Sequence, residues 1–420
     1  MTRKMKDSGV GWIGEIPESW ELVKIGQHFK QRNEKVSDLD FKPLSVTKNG
    51  IVPQLDNAAK SSNHNDRKLV KKGDFVINSR SDRKQSSGIA YEDGSVSLIN
   101  LVIKSRTVDT NFTNYLLKNA GFAEEFYRWG NGIVADLWST KWDSMKRIPI
   151  PLPELAEQKK IANVIRDKVK IIDTIISETQ QSIDELKKYK QALITETVTK
   201  GLDKNVEMKD SGIEWIGKIP SSWKIGRLKN LINQPLMYGA NESGELFNPE
   251  WPRYIRITDI QENNSLSSEN ILSLEPTLAS PYILKKGDVL FARSGATVGK
   301  TYYIDETSAG GAFAGYLIKA SFNNALVGEF VYYYTLSYSY QKWKESIVIQ
   351  ATIQNIGADK YSNMPLPIPD IAEMKILVEK VSRIDRRISK IIEEKKKMIK
   401  TMLNYKQSLI YEYVTGKKEA

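Results

Sequence analysis

Three short stretches carry side chains whose types and spacing could do chemistry. The run Arg293-Ser294-Gly295-Ala296-Thr297-Val298-Gly299-Lys300-Thr301 has the composition of a phosphate-cradling loop. Such a loop needs four residues between its glycines and opens into a helix whose first amides face the phosphate. Here only three residues separate Gly295 from Gly299, and Tyr302-Tyr303-Ile304 reads as strand, which argues against nucleotide binding. Asn248-Pro249-Glu250-Trp251 approximates the Asn-Pro-Pro-aromatic loop of adenine methyltransferases, but Glu250 replaces a proline and no glycine-rich cofactor loop precedes it. Pro369-Asp370, Glu373 and Lys375 follow the residue order of a nuclease metal site at a spacing far too short for one. Acids opening a helix explain them better. With no cysteine and only His28 and His64, thiolate and histidine-rich metal centres are out as well. The chain reads as non-catalytic, with no cofactor.

What survives is contact chemistry with a polyanion. The formal charge of +11 favours nucleic acid. It is spread unevenly: residues 1–153 carry +6, 154–204 carry +1, 205–367 carry −1 and 368–420 carry +5. Arg80, Arg83, Lys84 and Gln85 crowd one turn after an apolar strand. Arginine pairs bidentately with guanine, and glutamine or asparagine with adenine. The matching turn in the second half offers Arg293, Ser294, Thr297 and Lys300. Asn131 and Lys141 precede one proline run, and Gln350, Gln354 and Asn355 precede another. Lys48 and Arg256 complete the set of candidate DNA contacts. A solvated surface turn is the plain alternative for each, and base contacts are not separated from phosphate contacts at this level.

Elements that would position these groups are legible because the chain repeats itself. MKDSGVGWIGEIPESW (5–20) returns as MKDSGIEWIGKIPSSW (208–223), identical at 12 positions. KKGD (71–74) returns at 285–288, IPIPLPELAEQKK (148–160) as MPLPIPDIAEMKI (364–376), and KYKQALITETVT (188–199) as NYKQSLIYEYVT (404–415). Identity fails between Gln27–Val70 and Leu231–Leu284, so one duplicated scaffold carries divergent inserts. Short alternating runs such as DFVINS, DVLFARS and AGYLIKA predict strands. Trp12, Trp20, Trp215 and Trp223 read as packing anchors, and Tyr332, Tyr333, Tyr334, Tyr338 and Tyr340 as a packed helix face.

Beyond the prolines, Ile165, Ile172, Thr179, Leu186 and Leu193 recur every seven residues, with Val169, Ile176 and Ile183 beside them. Val381, Ile388, Met402 and Leu409, with Ile384, Ile391, Met398 and Tyr405, repeat the pattern. This spacing predicts two coiled-coil helices of roughly 45 residues. A helix so long, with two apolar seams, needs a partner. Pairing the two copies about a pseudo-twofold axis makes them antiparallel and puts the front domains at opposite ends of a rod.

The order of these features resembles the specificity subunit of type I restriction–modification enzymes. The likeness rests on DSG-x-x-WIG-x-IP-x-x-W, KKGD, RSGATVGKT, the proline runs with AEQKKIA and AEMKILV, and YKQ-x-LI. It implies an α+β fold in which two β-rich target-recognition domains with peripheral helices (1–153 and 205–369) alternate with two long antiparallel helices (154–204 and 370–420). It further implies that each front domain reads half of a split target in double-stranded DNA. The helices would set the gap and dock two methyltransferase subunits, and restriction subunits would join. The rival reading is a coiled-coil scaffold with no sequence-specific DNA role. A basic N-terminus without an apolar region after it, no cysteine and no run of 18 apolar residues suit a cytoplasmic chain without a membrane partner.

Overall fold

The computed structural model describes residues 3–55, 64–132, 138–261, 265–349 and 355–420. Two candidate contacts, Gln350 and Gln354, lie outside the described residues. The chain forms two compact units of mixed α and β structure, Met1–Thr179 with Lys397–Ala420, and Gln180–Lys396. This division falls inside both long helices, so each unit takes part of each, whereas the proline runs had suggested boundaries at the helix starts.

In the first unit a four-stranded antiparallel sheet runs in the order Ser87–Ile89, Phe75–Asn78, Asn100–Ser105, Phe29–Arg32. Phe75–Asn78 is an unbroken buried strand because both its faces are covered. On one face lie helices Thr110–Lys118 and Ala120–Arg128, whose Phe112, Leu116, Phe122 and Phe126 share a core with Phe75 and Ile77. Asp109 and Asn119 cap these helices by accepting from Phe112 N and Phe122 N, both at 2.9 Å. On the other face Val76 and Val102 meet Leu44, Val70 and Val96. These come from hairpin Leu44–Thr47/Gly50–Pro53 and from the sheet Gly94–Ser97, Arg67–Val70, Lys35–Val36.

The second unit builds its main sheet in the order Thr301–Tyr303, Val289–Ala292, Leu317–Ala320, Met237–Tyr238. A second sheet, Glu245–Leu246, Leu272–Ser273, Arg253–Ile255, Ala312–Phe313, closes on a parallel pair. Helices Ala325–Thr335 and Tyr338–Ile349 pack on the main sheet's core. Tyr332, Tyr333, Tyr334 and Tyr340 are buried there, while Tyr338 is 52% exposed.

The repeated phrases have physical reasons. The KKGD acids are buried: Asp74 accepts from Lys71 N at 2.9 Å and from Arg32 Nε at 2.6 Å, and Asp288 accepts from Lys285 N at 2.9 Å. Lys6 and Lys209 donate to the carbonyls of Glu18 and Ser221, at 2.8 and 2.7 Å. Each proline run is a strand as well as a helix stop: Pro149–Leu152 pairs with Glu21–Lys24, and Pro365–Ile368 with Lys224–Arg227. Ile25 N donates to Ile148 O and Leu228 N to Met364 O. Residues in phase with 148 and 364 therefore face the partner strand. The prolines, one step out of phase, lose no ladder bond.

Both long helices, Leu155–Lys200 and Ile371–Val414, contribute to each unit's core. In the first unit Lys406 Nζ reaches Asp173 at 2.6 Å. In the second, Lys190 Nζ reaches Asp385 at 2.8 Å. Ile165, Ile172, Ile183, Val381, Ile388 and Leu409 are buried as the heptads predict, but Met398 and Tyr405 are exposed, and Ile194, Val198, Ile392 and Tyr413 are buried instead. An ordinary 3.6-residue turn drifts from a strict sevenfold seam, so the buried stripe departs from the heptad positions.

Candidate nucleic-acid interface

Two tryptophans anchor the starts of the long helices. Trp20 and Trp223 are each 1% exposed. Trp20 Nε1 donates to Glu157 Oε2 at 3.0 Å, and Trp223 Nε1 to Glu373 Oε2 at 2.7 Å. Both carboxylates sit in the first turn of a long helix, at its positive end. Arg3 adds an ion pair to Glu157 at 2.8 Å and stacks over Trp20. After each helix a glycine with positive φ, Gly201 or Gly416, lies against the same phrase: Trp223 and Pro220, or Trp20 and Pro17. A Cβ on Gly416 would collide with Pro17.

In each unit the turn after the main sheet's buried strand is tied to the segment before the proline run. In the first unit Arg80 bridges Ser139, which also bridges Asn131. Thr140 N donates to Ser79 O at 3.0 Å and Ser81 N to Trp138 O at 3.2 Å. In the second unit Ser294 bridges Asn355, and Ile356 N donates to Arg293 O at 2.8 Å. Candidates distant in sequence thus share one surface per unit: Arg80 with Asn131 and Lys141, and Arg293 and Ser294 with Asn355. Arg80 and Lys141 line one cavity of about 530 Å³ with Gln31, Lys68 and Asp143.

The side chains differ in how free they are. Lys84 pairs with Glu124 at 2.9 Å and Arg83 with Asp82 at 3.4 Å. All four groups are well exposed, so these pairs are weak and exchange readily for phosphate. Gln85 stands apart from them, facing a second cavity that Lys48 also lines. Arg293 lays its guanidinium over the Tyr238 ring, 4.8 Å from the centroid. Its Nε is buried and unpartnered among the described residues. Tyr238 is held in turn by Ala358 N, which donates to its hydroxyl at 3.0 Å. Thr297 is exposed at the tip of the turn.

Arg256 and Lys300 are committed internally. Arg256 Nη2 donates to Asp259 Oδ1 at 2.8 Å and to Asn270 O at 2.9 Å, closing its own short turn. The Asp259 carboxylate and its hydrogen bonds hold that guanidinium above its ordinary pKa. Lys300 Nζ donates to Ile260 O at 2.8 Å. Sequence reading missed Ser139 and Tyr238. Ser139 was within reach, because it stands at the same repeat offset as Asn355; Tyr238 carries no such signal. Among the described residues no cluster of three or more His, Cys, Asp or Glu could hold a metal ion, and no helix is long and apolar enough to cross a membrane.

Residues 220–401 match the family model described as the type I restriction modification DNA specificity domain. The MjaVIII specificity subunit of Methanocaldococcus jannaschii is 25% identical over 424 residues, covering 96% of this chain and 93% of its own. The EcoBI specificity subunit of Escherichia coli is 25% identical over 284 residues, covering 64% of this chain and 58% of its own. Residues 220–401 thus match the DNA specificity domain, and the chain over nearly its whole length is similar to type I specificity subunits. Its fold agrees with that of two solved chains. A chain from work on complex assembly and conformational transition of the type I R-M system superposes with a TM-score of 0.69 at 13% identity, covering 95% of this chain and 98% of that one. The HsdS subunit from Thermoanaerobacter tengcongensis gives 0.51 at 15% identity, covering 96% and 98%. The latch of tryptophan to glutamate, present in both units, ties each opening phrase to the first turn of a long helix.

Proposed function

We propose that this chain is the non-catalytic DNA-reading subunit of a type I restriction–modification complex, recognising a two-part target with one surface per unit. The observation that carries the reading is the repeated bridge. Arg80–Ser139 and Ser294–Asn355 fasten equivalent backbone positions with unlike side chains. One backbone framework with different donors and acceptors is what two half-sites of different sequence demand. In the first unit the readers are Arg80, Arg83, Lys84, Asn131 and Lys141. In the second they are Arg293, Ser294, Thr297 and Asn355. Arg256 and Lys300, committed to Asp259 and to Ile260 O, are not among the readers.

The long helices are read as an antiparallel coiled pair that relates two copies of one fold. Support comes from Asp173, early in the first helix, meeting Lys406, late in the second, and from Lys190, late in the first, meeting Asp385. Partner subunits supply the chemistry: methyltransferase subunits, two by the doubling of the chain, and restriction subunits, all in the cytoplasm.

The test is selection of bound duplexes from a random pool by the chain assembled with its methyltransferase partner. A bipartite target is expected. Arg80→Ala with Lys141→Ala should relax one half only, and Arg293→Ala with Asn355→Ala the other, each base-pair preference falling by about 1–3 kcal/mol. Relaxation of both halves by either pair, or a single uninterrupted target, would overturn the reading.

A further inference from the structure

Lys118 ends helix Thr110–Lys118 and borders a cavity of about 470 Å³ within the first unit. Lys48 and Asn49, the two-residue turn of hairpin Leu44–Thr47/Gly50–Pro53, form one side of it, and Gln85 another. Lys406 and Gln407 of the second long helix close it. Among the described residues no carboxylate lines it. Lys406 already has Asp173 as a partner. Asn114 is occupied in accepting from Ile89 N at 3.2 Å, and Asn119 in capping its helix. Lys118 has neither ion pair nor hydrogen bond among the described residues, although its surroundings are half buried. Burial first, and Lys406 second, depress its pKa below the ordinary lysine value. An ammonium held this way is costly unless an anion arrives to pair with it. Gln85 adds a second sign. Among the described residues it is one of two non-glycine residues with positive φ, at 64°. Such backbone strain gathers where a side chain must be aimed.

We propose that this cavity seats one backbone phosphate of the bound DNA, with Lys118 as its principal ligand and Lys48 and Gln85 at its mouth. The inference rests on the DNA-reading function above and extends it to a position that carries no base information. Gln85 follows Arg80, Arg83 and Lys84 on the same turn, so a duplex engaged by those groups has its backbone within reach of the cavity. A free phosphate shares the chemistry, and the test separates the two sources.

DNA affinity of the full chain with its methyltransferase partner is measured against salt for the wild type, Lys118→Met, Lys118→Arg and Lys159→Met. Lys159 is an exposed helix lysine that controls for net charge. Lys118→Met should lower affinity about five- to tenfold for target and scrambled duplex alike, and flatten the plot of log K against log salt by about 0.9. Lys118→Arg should restore the slope, and Lys159→Met should leave it unchanged. Thermal unfolding checks that Lys118→Met is folded; replacing an unpaired, half-buried charge with methionine should not weaken it. A wild-type slope in folded Lys118→Met would overturn the proposal while the DNA-reading function stands. Absence of salt-dependent binding by the wild type would remove both. If inorganic phosphate at constant ionic strength stabilises the wild type but not Lys118→Met, with equal slopes on DNA, the cavity is a free-anion site and the DNA assignment falls.

Discussion

At the scale of single residues, Glu373 shows how one carboxylate serves two structures. It lies in the first turn of a long helix and accepts a hydrogen bond from the indole N–H of a tryptophan that is 1% exposed. Glu373→Ala should cost about 1–3 kcal/mol, since it leaves a buried donor unpaired, and Trp223→Phe in the same background should recover part of the loss. Urea unfolding of the two variants checks this. Arg256 belongs to the same class of self-contained groups. Arg256→Met should lower stability, through the unpaired Asp259 carboxylate, and leave the ratio of target to scrambled DNA unchanged in a competition assay. The sequence marks Arg256 and Arg293 as equal basic candidates. What separates them is that Asp259 lies three residues from one, whereas Tyr238 reaches the other from a distant strand. Local chemistry is readable in a single chain; an aromatic face supplied from far away is not.

At the scale of elements, the tyrosine-rich helix and its strands set an alkaline limit on the second unit. Burial pushes Tyr303 and Tyr333 up to about 12. In the unfolded chain both titrate near 10. Between those values the unfolded state sheds protons that the folded state keeps, so stability is full below pH about 10 and falls as pH rises towards 12. The urea midpoint of the second unit should drop over that window, and Tyr303→Phe with Tyr333→Phe should make the drop shallower. An unchanged slope would contradict the burial of these hydroxyls. The proline runs teach a related lesson. Prolines at every second residue announce a helix stop, and they also announce a strand whose free edge needs no donors, a reading that depends on knowing which strand lies opposite. The heptad pattern marked Ile165, Ile172, Val381, Ile388 and Leu409, which are buried, and failed at Met398 and Tyr405, which are exposed.

At the scale of the whole molecule, the repeated phrases made two similar units legible, but not which segments complete each one. Residues 397–420 return to the first unit. There Leu409, Tyr413 and Val414 share a core with Trp12, Trp20 and Ile165, and Tyr411 Oη donates to Ile13 O at 3.1 Å. Lys417 Nζ donates to the carbonyls of Ile13 and Glu15. Removing residues 397–420 should therefore strip hydrogen-exchange protection from residues 1–179 and leave the sheets of the second unit protected. Loss confined to the second long helix would show that the first unit closes by itself.

That return has a consequence for how the protein is made. As the nascent chain leaves the ribosome, residues 1–179 emerge with their core open on one side, and the piece that covers it is translated only after residues 180–396. At ~5–20 residues per second the wait is on the order of tens of seconds. Through that interval the second unit has all of its own chain to fold with, while apolar side chains around Trp20 and Ile165 stay accessible to chaperones or to another nascent copy.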